Sequence, residues 1–232
     1  MTRSGADAAT SDSTAVLDAV ELYRFYHAGN DETLALRGAS LRLHRKEIVV
    51  VTGPSGSGKS TLLACLAGLD EPDGGTVRVN GETMSRTTES NRAALRARTL
   101  GMLFQSGNLV DHLTVEQNVV MAQRLAGRPD KARAARLLTN VGLGDRLDAA
   151  PTTLSGGEAA RAGLAVALAN DPAVILADEP TGEVDEATSA RIMNLLRAHA
   201  DAGAAVLIVT HNPNVAVLAD REIRLVDGQV VQ

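Results

Sequence analysis

Residues Gly53 to Ser60 read GPSGSGKS, a spacing of glycines, one lysine and one serine suited to holding a chain of phosphates. A loop that wraps phosphates must bring backbone N–H groups against anionic oxygens, and Gly53, Gly56 and Gly58 remove side chains that would obstruct the approach. Pro54, Ser55 and Ser57 complete the loop. Lys59, Ser60 and Thr61 then open the run KSTLLACLAG, whose helical start would add the positive end of its dipole. Of the 23 Lys and Arg residues only three are lysine, so Lys59 goes against the chain's own preference. A compact ammonium fits between β- and γ-phosphates where a planar guanidinium does not substitute easily. The Ser60 hydroxyl suits Mg²⁺, which takes oxygen ligands. An ordinary Gly-rich strand-to-helix turn is the bland alternative. The aliphatic run IVVVT before the loop and the helical run after it favour a phosphate cradle.

A second chemical cluster is VILADE, residues 174–179, an aliphatic strand ending in two adjacent carboxylates. Asp178 suits Mg²⁺ through a water, and Glu179 suits a general base for an attacking water. A solvated strand end with two acids is the plain reading, made weaker by the phosphate loop. A third is LSGGE, residues 154–158. Ser155 and Glu158 satisfy the S-x-x-E capping-box pattern, yet Gly156 and Gly157 each cost about 1 kcal/mol against Ala in a helix interior. A helix start with small residues and a serine is also an anion site.

These groups need strands and helices to carry them. β-Branched or aliphatic runs predict strands at Val16–Val20, Ala39–Leu43, Ile48–Thr52, Thr76–Val79, Leu100–Phe104, Val174–Ala177, Val206–Val209 and Glu222–Val226. Recurring apolar positions predict helices at Lys59–Leu69, Lys131–Asn140, Gly156–Ala169 and Glu186–Ala200. No strong strand is expected between Gln105 and Pro172. The expected architecture is therefore a single α/β domain over residues 15–232. Residues 15–104 and 172–232 would form the nucleotide-binding core, and residues 105–171 an inserted helical subdomain.

Composition agrees. The 232 residues are 44% hydrophobic but include only two Tyr and two Phe, which suits a parallel sheet of Val, Ile, Leu and Ala covered by helices. No apolar run approaches the roughly 18 residues that span a bilayer. Residues 1–14 mix small and polar types without the apolar block of a secretory signal, so a floppy extension is expected there, and export is not. One cysteine, Cys65, excludes an internal disulfide and reads as a packed core thiol. The net charge of −5, with basic residues scattered, argues against nucleic acid as the main partner.

Taken together, GPSGSGKS, Gln105, LSGGE, VILADEP, Asp185 and His211 occur in the order and approximate spacing of ABC ATPases, and the chain resembles that family over nearly everything after residue 14. The resemblance implies a P-loop NTPase core with a mainly parallel sheet, an N-terminal antiparallel β subdomain and the helical insertion. It implies ATP and Mg²⁺ as cofactors. Ser155, Gly156, Gly157 and Glu158 would contact the nucleotide held by an opposite subunit, in a homodimer or heterodimer. Tyr26 falls where such proteins stack the adenine ring, with Tyr23 and Phe25 packing the strand edge. Gln105 is similar to the glutamine that senses Mg²⁺ and water and links to a transmembrane permease. His211 resembles the histidine that holds the γ-phosphate and the catalytic water. Asp185 resembles an acid that communicates across the dimer interface, and a helix N-terminal carboxylate explains it equally well.

Within the family the pieces SGNLVDHLTVEQNV and ADREIRLVDGQVV are most similar to the lipoprotein-release, macrolide-export and cell-division group. That implies a subunit peripheral on the cytoplasmic face of the membrane, driving export or extraction. The alternative is control of an extracellular enzyme through a membrane partner without transport. An ABC-type DNA-maintenance ATPase would carry heptad coils or zinc insertions, which the sequence lacks. Ala159, Ala160 and Val166 replace the polar residues usual in the family, which leaves the ATP chemistry intact but touches the face that relays nucleotide state to a partner.

Overall fold

The computed structural model describes residues 15–28 and 31–231; the expected extension over residues 1–14 lies outside the described residues. Two sheets share the chain. In the first, β1 (Ala15–Ala28) pairs antiparallel with β2 (Asp31–His44) and with β4 (Gly74–Val79), which in turn pairs with β5 (Glu82–Thr83). In the second, the order is β10-β9-β3-β8-β7-β6, built from β3 (Ile48–Thr52), β6 (Leu100–Leu103), β7 (Val174–Asp178), β8 (Ala205–Val209), β9 (Arg221–Val226) and β10 (Gln229–Val231). All its pairs are parallel except the terminal β9–β10 hairpin. The helices are α1 (Lys59–Leu66), α2 (Glu89–Thr99), α3 (Val115–Leu125), α4 (Lys131–Asn140), α5 (Gly156–Ala167), α6 (Glu186–Asp201) and the short α7 (Pro213–Ala216). Among the described residues none is long and apolar enough to cross a membrane.

The parallel strands are aliphatic throughout because both faces are covered. Val49, Val51, Leu176, Leu207 and Val209 point into a core shared with α1 and the antiparallel sheet. Their neighbours Ile48, Val50, Ile175, Ala177, Val206 and Ile208 point into a second core with α5 and α6, as the period of two requires. A third core joins α3, α4 and α5 through Val115, Val119, Ala134, Leu138, Ala162 and Ala165. Helix α5 thus belongs to two cores, with Leu164 in the sheet core and Ala162 and Ala165 in the helical one. No strand occurs among the described residues between Gln105 and Pro172. Cys65 is buried and its thiol is pushed up to about 12 by burial, as a packed thiol should be.

Four differences from the sequence reading have local causes. β1 runs on past Val20 to Ala28, because the register shifts between Ala19 and Leu22 and Glu21 has φ 49°. Such a bulge breaks the alternation by which a strand is read. Helix α2 was not expected, since ESNRAALRART carries few apolar residues; Thr88 caps it by accepting from the Asn91 N–H. Helix α3 was also missed, although Thr114 and Gln117 form a capping box at its start. Helix α1 ends at Leu66 rather than Leu69, where Gly68 turns to φ 64°.

One glycine fixes how closely α5 approaches the sheet. A Cβ on Gly101 in β6 would lie 2.4 Å from the Ala167 carbonyl oxygen at the end of α5 and 2.9 Å from Pro172 Cγ. Gly101→Ala is therefore expected to destabilise the fold by about 1–3 kcal/mol, read as a lowered midpoint in urea denaturation with an unchanged slope.

Candidate functional site

Strands β3, β6, β7 and β8 run parallel, so their C-terminal ends open on one edge, where sheets of this kind bind ligands. Each end carries a residue singled out by its chemistry. The glycine loop follows β3, Gln105 follows β6, Asp178 and Glu179 end β7, and His211 follows β8.

The loop 53–58 is clasped on two sides. A Cβ on Gly53 would lie 2.1 Å from the Leu225 carbonyl oxygen, and one on Gly58, where φ is 98°, would lie 2.4 Å from the Ala35 carbonyl oxygen. Gly56 has φ 78° and open space around it, so the loop's free face is left for an anion. The Lys59 ammonium donates to the Gly53 and Pro54 carbonyls, both at 2.8 Å, which curls the side chain back over the loop. Among the described residues the buried Ser57 hydroxyl has no hydrogen-bond partner, and the Ser57 carbonyl accepts from the Gly228 N–H at 3.0 Å.

Ser60 Oγ lies 3.5 Å from Asp178 Oδ2. Burial, and then the neighbouring charge of Glu179, raise Asp178 above the ordinary carboxylate range, opposed by Ser60 and Lys59. This hydroxyl–carboxylate pair is a hard oxygen donor set of the kind Mg²⁺ takes alongside phosphate oxygens and water. Among the described residues no group of three or more His, Cys, Asp or Glu could hold a metal unaided. The donors therefore fit a metal that shares its ligands with a bound nucleotide.

Glu179 has φ 45°. Its Oε2 accepts from the Thr210 hydroxyl at 2.8 Å, and its Oε1 accepts from the His211 N–H at 3.0 Å and lies 2.6 Å from His211 Nδ1. Gln105 Nε2 donates to Glu183 Oε1 at 3.1 Å, and Gln105, Glu179, Gly156, Ala159 and Ala160 line one cleft. The loop after Gln105 is braced by Asn108, whose amide accepts from the Phe104 N–H at 2.8 Å and donates to the Phe104 carbonyl at 2.6 Å. Asn108 lies tight over Gly163 of α5, where an added Cβ would come within 2.7 Å of its own.

Tyr26 lines a cleft with Lys59, Ser60 and Thr61. The Arg24 guanidinium stands 4.8 Å from the Tyr26 ring centroid, and the Tyr26 hydroxyl donates to Asp70 Oδ2 at 2.7 Å. Burial and then Asp70 push the phenol above its usual value. Tyr23 instead lies across Gly38 and Gly74, packed along the strands. The Phe25 backbone N–H donates to Asp73 at 2.8 Å.

LSGGE stands apart from the phosphate loop in its bonding. Ser155 caps α5 in a full capping box, its N–H and hydroxyl donating to Glu158 Oε2 at 2.9 and 3.0 Å. The Ser155 N–H and then its hydroxyl hold Glu158 below the ordinary range. Asp185 caps α6, accepting from the Thr188 N–H at 2.9 Å and the Thr188 hydroxyl at 2.8 Å, bonds that lower its pKa in that order. Thr210, Arg24 and Asp70 are participants the sequence did not single out. Threonine at the end of an aliphatic strand reads as a β-former, and the Arg24–Asp70 pair spans 46 positions.

The ABC transporter family model matches residues 36–182, well over half of the chain. The chain belongs to the ABC transporter family. This family member is 43% identical over 218 residues to an uncharacterised ABC transporter ATP-binding protein of Thermotoga maritima, covering 93% of each chain. It is 42% identical over 221 residues to the macrolide export ATP-binding/permease protein MacB of Salmonella typhimurium, covering 94% of this chain but 34% of MacB. It thus spans about a third of that relative. Its fold matches the dimeric post-hydrolysis structure of the ATP-binding cassette MJ0796 bound to ADP and Pi, with TM-score 0.88 and 33% identity over 93% of this chain and 97% of the other. The chain is an ATP-binding cassette that hydrolyses ATP.

The raised Asp178 carboxyl has a stability consequence. The folded chain holds this proton more tightly than the unfolded one, so stability is full below the ordinary Asp value of about 3.9 and falls as pH rises into the raised range. Without nucleotide, Asp178→Asn is expected to raise the denaturation midpoint at pH 7, with the gain vanishing near pH 3, measured by thermal melts across pH.

Proposed function

We propose that two copies of this chain, or this chain and a related subunit, enclose two MgATP molecules and drive a membrane permease in export or extraction. The cassette would sit at the cytoplasmic face of the membrane. The observation that carries the reading is the gathering of the glycine loop, Asp178, Glu179 and His211 on one sheet edge, while among the described residues Ser155 is bonded within its own helix cap. A triphosphate bound to the loop is thereby left open on the side where a second cassette can present its own α5 terminus. The dimeric MJ0796 cassette with ADP and Pi and the joined ATP-binding and permease parts in MacB's description support it.

In this reading loop N–H groups and Lys59 hold the β- and γ-phosphates, Lys59 exchanging its two carbonyls for phosphate oxygens. Ser60, Gln105 and, through a water, Asp178 would hold Mg²⁺, which when bound would neutralise charge on the phosphates. Tyr26 stacks the adenine on the ring face away from Arg24. Glu179 takes the proton of the attacking water, and His211 turns from Glu179 to the γ-phosphate. Ser155, Gly156, Gly157 and Glu158 of the opposing copy close on the γ-phosphate, and Asp185 passes closure across the interface from its place at the α6 cap. Hydrolysis is then a matter of positioning and electrostatics. Residues 105–171 act as the helical subdomain that relays this state to the permease, through a cleft bordered by Gln105, Ala159 and Ala160.

Glu179→Gln is expected to lower kcat by about 10²–10⁴-fold and to accumulate an ATP-bound dimer in gel filtration; full turnover by this variant overturns the base assignment. For the transport reading, the tagged chain should copurify with a polytopic membrane protein, and vesicles reconstituted with both should show ATP-dependent substrate flux. Stimulated hydrolysis without flux of any substrate would instead favour regulation of an outside enzyme.

A further inference from the structure

Thr210 is completely buried, at the point where β8 gives way to His211. Its backbone N–H donates to the Val51 carbonyl at 3.2 Å, on the strand that leads into the phosphate loop. Its hydroxyl accepts from the Asn212 N–H at 3.0 Å, so the hydroxyl proton is free to point in one useful direction, to Glu179 Oε2 at 2.8 Å. One residue therefore ties together three elements: its backbone N–H holds the strand before the loop, and its hydroxyl joins Glu179 at the end of β7 to the turn that carries His211.

The other carboxylate oxygen is held differently. Glu179 Oε1 is met by the His211 N–H and by His211 Nδ1, and the His211 side chain is 80% exposed against 15% for Glu179. An exposed imidazole can leave. A hydroxyl buried in the sheet, with its proton aimed by a backbone donor, cannot leave without breaking the strand end.

We propose that Thr210 is a positioning residue for ATP hydrolysis: the fixed half of a two-part clamp on the Glu179 carboxylate, which keeps that group aimed when the mobile half, the His211 ring, turns to the nucleotide. The proposal rests on Glu179 acting as the base. Without the hydroxyl, Glu179 keeps one donor, the His211 N–H, once the ring has left, and its carboxylate can rotate about its last bond. The cost falls on the chemical step rather than on nucleotide binding, because Thr210 bonds the base and not the phosphate loop's free face.

Thr210→Val keeps the shape and removes the hydroxyl; Thr210→Ser keeps the hydroxyl. In steady-state ATPase assays on the whole chain, Thr210→Val is expected to lower kcat by between about tenfold and a hundredfold with KM for ATP within about twofold of the parent, and Thr210→Ser to restore most of kcat. If Thr210→Val does not fold, Thr210→Ala against Thr210→Ser gives the same comparison. Adding Thr210→Val to Glu179→Gln should lower kcat no further. Parental kcat in a folded hydroxyl-free variant, a rise in KM in place of the fall in kcat, no rescue by folded Thr210→Ser, or an undiminished effect in the Glu179→Gln background overturns the proposal. Full turnover by Glu179→Gln alone would remove the base reading beneath it, a failure seen before Thr210 is touched.

Discussion

The phosphate loop has no room on its inner side. The carbonyl oxygens of Leu225 in β9 and Ala35 in β2 approach Gly53 and Gly58 so closely that a methyl group at either would sit inside van der Waals contact. Two strands that are far apart in sequence, and belong to different sheets, press a short segment into a shape whose N–H groups can face outward. That pressure explains much of the surrounding construction. β2 must reach across to the parallel sheet, so it is long. The Arg37 N–H bonds the Gly228 carbonyl at 2.8 Å, and the Gly228 N–H bonds Ser57 at 3.0 Å, so the β9–β10 turn, β2 and the loop close on each other. Anion binding by backbone amides depends on this rigidity, since a loose loop would have to be ordered by its ligand.

Opposite the loop, the end of β7 places two carboxylates side by side, an arrangement that costs charge repulsion and desolvation. The two are held in different ways. Asp178 is relieved by Ser60 and by the charge of Lys59, groups of the phosphate site. Glu179 is relieved by Thr210 and His211, groups of the neighbouring strand end. Two acids adjacent in sequence are thus assigned to separate surroundings, one beside the phosphate loop and one against the end of β8. Backbone strain at Glu179, φ 45°, accompanies that separation.

Motifs whose chemistry is local were legible in the sequence, because a glycine loop, an acid pair and a capping box are defined by residues a few positions apart. The parallel strands were legible because full burial makes them uniformly aliphatic. The long β1–β2 hairpin was only half visible, since the bulge at Glu21 changes which face each following residue occupies. Helix α2 was hidden by its polar composition, being held by its cap and by ion pairs such as Arg96 with Glu89 rather than by an apolar stripe. Residues that act by bonding across strands left no mark. Thr210 looks like any strand threonine, and Asp70 becomes relevant to Tyr26 only when the fold brings them within 2.7 Å. Asp185 remained open between two roles in sequence; its bonds to Thr188 give it a capping role that an interface role can share.

Asn108 grips Phe104 from both sides and rests on the bare backbone of Gly163, with no gap between them. The segment holding Gln105 and the helix headed by Ser155 are therefore geared together at one tooth. A side chain at position 163 would wedge the two apart, so their contact rests on a glycine whose contribution is to be small.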